Sequence, residues 1–284
     1  MHEFEIPLPH SHLCLKGIKN FNGERPDILA FHGWLDNCHS FLPMLPHLKD
    51  FNVMAIDFPG HGLSEHYAAG QVPYFHDLIY CIREIFECLD LESCHIMGHS
   101  MGGGAASLFA GVFPELVRSL ILLDSLGPIS TPEQGAPEKM KQAISTWLRH
   151  GKRPNPIYDD HESASKTRMK SGMLTIENSR ILTQRGVKKV EKGVKWAHDP
   201  KLKLPSPGLF SEAQVDSYLK AIESPTLLIQ GKSSFLAKSQ VIPKRMAHLR
   251  QAVSTTLDAG HHVHMDLPEE TAQIVRNFLS YGSI

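Results

Sequence analysis

Cysteine is scarce: five in 284 residues, at Cys14, Cys38, Cys81, Cys88 and Cys94. The number is odd and no C-x-x-C pair occurs, so neither a disulfide framework nor a cysteine zinc site is expected to organise the chain. Long apolar runs are also missing. The longest, such as LILLDSLG, fall far short of the roughly 20 residues that cross a bilayer, and no apolar stretch of signal-peptide length follows Met1. A soluble, cytoplasmic protein without stable membrane insertion is expected. Net charge is nearly absent, at −1, which removes any general pull toward nucleic acid or anionic lipid. No phosphate-binding glycine loop and no metal-ligand spacing are found, so no cofactor and no metal are expected. Repeats and low-complexity tracts are missing too, and nothing in the composition speaks to oligomeric state.

What is present is an α/β pattern. Hydrophobic residues make up 42% of the chain, enough to bury the core of one large domain with an insertion. After an N-terminal antiparallel pair in EFEIPLPHSHLCLKGI, short apolar runs alternate with helical periodicities: DILAFHG, FNVMAIDFPGHG, the helix YFHDLIYCIREIFECLDL, CHIMGHS, a helix from about Met101, and VRSLILLD. Cys81 and Cys88, seven apart in the first helix, are expected to share its buried face. Such alternation predicts a mostly parallel sheet covered by helices on both faces.

The texture changes after Asp124. Residues 127–222 hold helical patterns but no clear buried strand, and the alternation then resumes in PTLLIQG, KSQVIPKRMAHL, AVSTTLDAG and PEETAQIVRNFLSY. A core of residues 1–126 and 223–284 with a helical cap inserted at 127–222 is the expected organisation. From 128 to 222 there are 17 Lys or Arg against 10 Asp or Glu, so the insertion is basic and the rest acidic. That charge serves either as ordinary solvated surface or as steering for an anionic substrate. Met140, Ile144, Trp147 and Leu148 recur at helical spacing within it, as residues that either roof a pocket or pack the insertion onto the core.

One short motif carries the chemistry. GHSMG, Gly98 to Gly102, is a G-x-S-x-G pattern between a strand and a helix, the context of a nucleophile elbow. A serine at a strained strand-to-helix turn needs neighbours two positions away small enough to avoid collision. Ser100 is thereby pushed out at the carboxyl edge of the sheet, and the amide of Met101, opening the helix, can donate to a developing oxyanion. The base best placed to serve it lies in LDAGHHVHMDLPEE, where Gly260 ends a strand and His261 opens a loop that returns to the same edge. His262 and His264 compete with it.

These segments together resemble the α/β-hydrolases, and within them the serine hydrolase-like proteins, through HGWLDN, DFPGHGLSEHY, GHSMGG, LILLDS and LTQRGVKKVEKG. The likeness runs over nearly the whole chain. In similar enzymes the catalytic histidine follows a glycine and precedes an aromatic residue, which favours His261 and matches His262 to the aromatic. The amide after His-Gly supplies the second oxyanion donor there, which implies the backbone of Trp34. Asp57 and His61 read as architecture, and Asp36 as a residue that orients this loop or lines the pocket.

The resemblance breaks at the acid. Many relatives carry an aspartate three residues after the glycine that ends PTLLIQG, but this chain has Ser234 there, and a serine cannot stabilise an imidazolium. Asp124, at the end of LILLD, lies one helix crossover from Ser100 on a neighbouring strand about 4.8 Å away. It fits the chain order Ser100, Asp124, His261. Asp258, three residues before His261, belongs to its strand. The expected activity is hydrolysis of small or medium carboxylic esters through an acyl-enzyme, with a small-molecule ester or related carbonyl substrate. Carbon-carbon bond hydrolysis of meta-cleavage-type dienoic acids, and a hydrolase fold reused for ligand binding without catalysis, are the alternatives.

Overall fold

The structure, a computed structural model, describes residues 1–150, 154–206 and 208–281. Along the chain, β1 (His2–Leu8) and β2 (Leu13–Lys19) precede β3 (Ile28–Phe31), β4 (Val53–Ile56), α1 (Phe75–Cys88), β5 (Cys94–His99), α2 (Met101–Val112) and β6 (Val117–Leu123). The segment from β6 onward holds α3 (Ala136–His150), β7 (Ile157–Tyr158), α4 (His161–Gly172), α5 (Ile176–Gly186), β8 (Val187–Val190), β9 (Gly193–Trp196) and α6 (Glu212–Lys220). The chain closes with β10 (Thr226–Gly231), α7 (Val241–Met246), β11 (Ala252–Leu257), α8 (Val263–Asp266) and α9 (Pro268–Tyr281). No described helix is long and apolar enough to cross a membrane.

Eight strands form one sheet in the order β1-β2-β4-β3-β5-β6-β10-β11. β1 and β2 pair antiparallel, as does β2 with β4, and the remaining neighbours are parallel. The four residues of β3 and of β4 are all buried, as strands covered on both faces require. One face packs on α1, α2 and α6 through Leu78, Ile82, Ile85, Phe109 and Val215; the other packs on α9 through Val275 and Phe278. In α1, Leu78, Cys81, Ile82 and Ile85 make the buried stripe. Cys88 departs from expectation: it is exposed at the last position of α1, while Phe86 and, past the helix, Leu89 and Leu91 make the core contacts there.

The register decides where the chemistry lies. Gly98 of β5 faces Leu122 of β6, and Leu123 of β6 faces Ile229 of β10. The β5–β6 register ends at His99 opposite Leu123, and one residue beyond each strand the pairing continues: the amide of Ser100 donates to Leu123 O at 3.2 Å and that of Asp124 to Ile229 O at 2.7 Å. Ser100 and Asp124 therefore leave adjacent strands at the same carboxyl edge.

The segment between β6 and β10 is not wholly helical. β7, β9 and β8 form a three-stranded antiparallel sheet around the buried Trp196. Its strands are two to four residues long, too short for a period-2 pattern to stand out in the sequence. On α3, Met140 is 40% exposed, Ile144 50% and Leu148 85%, while Trp147 is half-buried, so of the four residues expected on one face three stand largely open to solvent. Arg185 of α5 joins the segment to the core. Its Nε donates to Asp57 Oδ2 at 2.7 Å and its Nη1 to Glu3. Asp57 also accepts the amides of Cys38 at 2.7 Å and Leu63 at 2.9 Å, tying the loops after β3 and β4 to α5.

Candidate active site

Ser100 sits between β5 and α2 with φ 50, a left-handed conformation that costs a non-glycine residue on the order of 1–3 kcal/mol. The glycines on either side make the turn possible. A Cβ at Gly98 would lie 2.6 Å from the backbone of Gly102, and one at Gly102 would collide with the carbonyl of Phe31. The amide of Gly102 donates to His32 O at 3.1 Å, so the first turn of α2 is joined to the loop after β3.

His261 reaches this edge from between β11 and α8. Its Nε2 lies 2.9 Å from Ser100 Oγ, and its Nδ1 lies 2.5 Å from Asp124 Oδ2. A carboxylate only accepts, so Nδ1 carries the ring proton and Nε2 presents a lone pair to the serine hydroxyl. In this arrangement the imidazole can take the hydroxyl proton while the buried carboxylate balances the charge that results.

Ser234 has a role that the sequence did not reveal. Its Oγ donates a short hydrogen bond to Asp124 Oδ2, and the amide of Gly231 donates to Oδ1 at 3.0 Å. The residue standing where relatives carry their acid thus holds the carboxylate that comes from β6. Asp258, expected within its strand, lies one residue past the end of β11 and is exposed.

The amides of Trp34 and Met101 have no acceptor among the described hydrogen bonds, and as the first residue of α2 Met101 lacks an intrahelical partner. The loop carrying Trp34 is fixed by His32, which is fully buried. His32 Nε2 accepts the amide of Phe58 at 3.0 Å, so its Nδ1 donates to Gly33 O at 2.7 Å. Burial pushes the His32 pKa down, keeping the neutral tautomer that makes both bonds. Trp34, 52% exposed, donates from its indole nitrogen to Leu202 O, in the segment between β9 and α6, at 3.0 Å. Phe235 is likewise 54% exposed and lies 4.7 Å from the His261 ring, an apolar wall beside the reacting atoms.

The competing histidines face elsewhere. His262 Nε2 lies 3.2 Å from Asp36 Oδ2, and His264 is fully buried against Phe41 and His99. Burial drives the His264 pKa down to about 3. Asp36 accepts Arg168 Nη2 at 2.5 Å on Oδ1. Burial opposes its charged form, yet Arg168 and His262 hold the carboxyl well below the usual range. His99, next to Ser100, donates from Nε2 to the carbonyl of His261 at 3.0 Å. Neither Arg168 nor His99 was marked by the sequence: one is a single arginine in a basic segment, the other the variable position of G-x-S-x-G.

The model of the alpha/beta hydrolase fold family matches residues 26–151. A serine hydrolase-like protein of Dictyostelium discoideum is 33% identical over 267 residues, covering 89% of this chain and 74% of its own length. A serine hydrolase-like protein of Danio rerio is 28% identical over 291 residues, covering 98% of this chain and 88% of its own. Among solved structures, a hypothetical protein from Pseudomonas aeruginosa superposes with a TM-score of 0.90 at 32% identity over 99% of both chains.

Proposed function

The chain belongs to the α/β-hydrolase superfamily, similar to its serine hydrolase-like members, and from that premise we propose that it hydrolyses carboxylic esters through an acyl-enzyme on Ser100. The hydrogen-bonded line Ser100 Oγ, His261 Nε2, His261 Nδ1, Asp124 Oδ2 carries this reading. Ser100 Oγ attacks the ester carbonyl as its proton passes to His261 Nε2, and the carbonyl electrons move onto oxygen. The amides of Trp34 and Met101 hold that oxyanion. Collapse expels the alcohol, which takes the proton from His261. Water then gives a proton to the same nitrogen, attacks the acyl carbonyl, and releases the acid with Ser100 restored.

Residues 127–222 act as the cap in this reading, meeting the core at Trp34 and Arg185. The state of Arg168 supports an ester over a dienoic acid. Carbon-carbon hydrolysis of such an acid calls for a free cation to hold the substrate carboxylate, and the Arg168 guanidinium is already bound to Asp36. A panel of aryl esters of graded acyl length, run beside a ring-cleavage product, tests the choice. Ester turnover that varies with chain length is expected, and turnover of the ring-cleavage product alone would overturn it.

A further inference from the structure

Beside Ser100 and His261 lies a group of buried polar side chains that ester hydrolysis does not use. Asp36 comes from the loop after β3, His99 from the end of β5 and His262 from the turn before α8. Their side chains are 2%, 1% and 4% exposed. Oδ2 of Asp36 stands 3.2 Å from His262 Nε2 and 3.7 Å from His99 Nδ1, and the three atoms all lie within 4.8 Å of one another.

The surrounding hydrogen bonds fix the proton on His99. Its Nε2 faces the carbonyl of His261, which only accepts, so Nε2 carries the hydrogen and Nδ1 bears a lone pair. That lone pair points to a carboxylate oxygen and has no hydrogen-bond partner among the described residues. Two bare acceptors opposed in a buried site repel each other, and an unpaired buried nitrogen calls for an explanation. A second ring proton would place a buried imidazolium among three other imidazoles, whose centroids lie 4.5 to 4.8 Å away. A metal cation between the acceptors removes the conflict without that proton.

The geometry points to a binding site for one divalent transition-metal ion of the zinc type, with Asp36 Oδ2, His99 Nδ1 and His262 Nε2 as its protein ligands. Ligands about 2.0–2.1 Å from a tetrahedral ion stand roughly 3.3 Å from each other, and the two edges at Asp36, 3.2 and 3.7 Å, bracket that spacing. Two imidazoles and one carboxylate favour zinc-like ions over magnesium or calcium. Behind two of the ligands stand fixed partners, a main-chain carbonyl on His99 Nε2–H and Arg168 on the other oxygen of Asp36, while His262 Nδ1 has no hydrogen-bond partner among the described residues. Gly33 leaves room for a fourth ligand, since a Cβ there would stand 2.9 Å from both Asp36 Oδ2 and His99 Nδ1. An ion so placed is linked to His261 by the His99 hydrogen bond and by the peptide bond to His262, and its binding is read directly by titration rather than from turnover at Ser100.

The test uses the untagged full chain, stripped with a chelator and titrated with Zn²⁺ against a chromophoric chelator. A parallel titration with Co²⁺ is read by visible absorption. One Zn²⁺ per chain and the intense ligand-field bands of four-coordinate Co²⁺ are expected. His99→Gln and His262→Gln should each weaken Zn²⁺ binding on the order of 100-fold or more, the upper end of losses around such sites. His264→Gln, which aims no atom at the ion, should keep it. Failure of the parent chain to bind Zn²⁺ saturably at one to one overturns the site, as does a six-coordinate Co²⁺ spectrum. One-to-one binding that survives both His99→Gln and His262→Gln overturns it equally. The parent's stoichiometry and Co²⁺ spectrum decide the matter even if a variant does not fold.

Discussion

Replacing Asp124 by asparagine keeps the shape of the side chain and changes one oxygen to an NH2. The fold determines which one. Gly231 N–H donates to Oδ1, so turning the new NH2 toward Gly231 would oppose two donors and leave a buried amide unsatisfied, at a cost of about 1–3 kcal/mol. The asparagine oxygen therefore stays on Gly231, and its NH2 takes the place of Oδ2, facing His261 Nδ1. Ser234 can rotate its hydroxyl to accept from it. To accept that NH2, His261 must move its proton to Nε2, and no lone pair is then left for Ser100. Turnover should fall on the order of 10³ to 10⁴, as for triads elsewhere that lose their carboxylate, or about 4 to 5.5 kcal/mol of transition-state stabilisation. Steady-state ester kinetics with circular dichroism as a folding control read this out. Asp258→Asn, on an exposed residue, should cost far less. Because Ser234 Oγ already meets the same carboxylate oxygen as His261, Ser234→Asp should recover part of the Asp124→Asn loss. In the parent it should impair turnover by setting two carboxylates against each other. Comparable losses at Asp124 and Asp258, or none at Asp124, would refute the reasoning.

Ser234→Ala removes one hydroxyl donor from Asp124 and should lower kcat about tenfold, the worth of one hydrogen bond to a charged group; an unchanged kcat would mean that the contact positions nothing. Arg185→Met strands the fully buried Asp57 carboxylate and should cost about 3–5 kcal/mol in urea unfolding. Glu3→Gln, at the exposed arm of the same arginine, should cost under about 1 kcal/mol, and equal losses would misplace the cause. Burial holds His61, His198 and His264 neutral, with pKa values near 3 against 6.5 unfolded. Between pH 6.5 and about 3 the unfolded chain therefore binds more protons, and stability falls as pH is lowered. Each histidine should cost about 1 kcal/mol from pH 6.5 to 5.5, roughly 3 kcal/mol for the three. Urea midpoints that stay level over that interval would contradict it.

The elbow was legible because its cause is local: a serine held at a left-handed turn needs Gly98 and Gly102 beside it, and those residues are adjacent in the chain. The meeting of His261 with Asp124, 137 residues apart, was legible through topology, since parallel strands deliver their ends to one edge. What the sequence concealed depends on side-chain direction after assembly. Ser234 read as a lost acid when it is the donor that holds Asp124. Asp36, His99 and His262 lie at no metal-ligand spacing, and only the convergence of three loops brings them together. Arg185 reaches Asp57 across 128 positions as one of many cations in a basic segment, with no pattern to set it apart. The apolar spacing of Met140, Ile144, Trp147 and Leu148 falls within α3, but periodicity does not say what a face will meet.

The most direct test of the account is covalent labelling of the folded chain with a fluorophosphonate probe, the modified residue being located by peptide mass spectrometry. A single adduct on Ser100, missing in a folded Ser100→Ala variant that has also lost ester turnover, is the predicted result. A folded parent chain that takes no label, or a Ser100→Ala variant that keeps near-parent turnover, would contradict it.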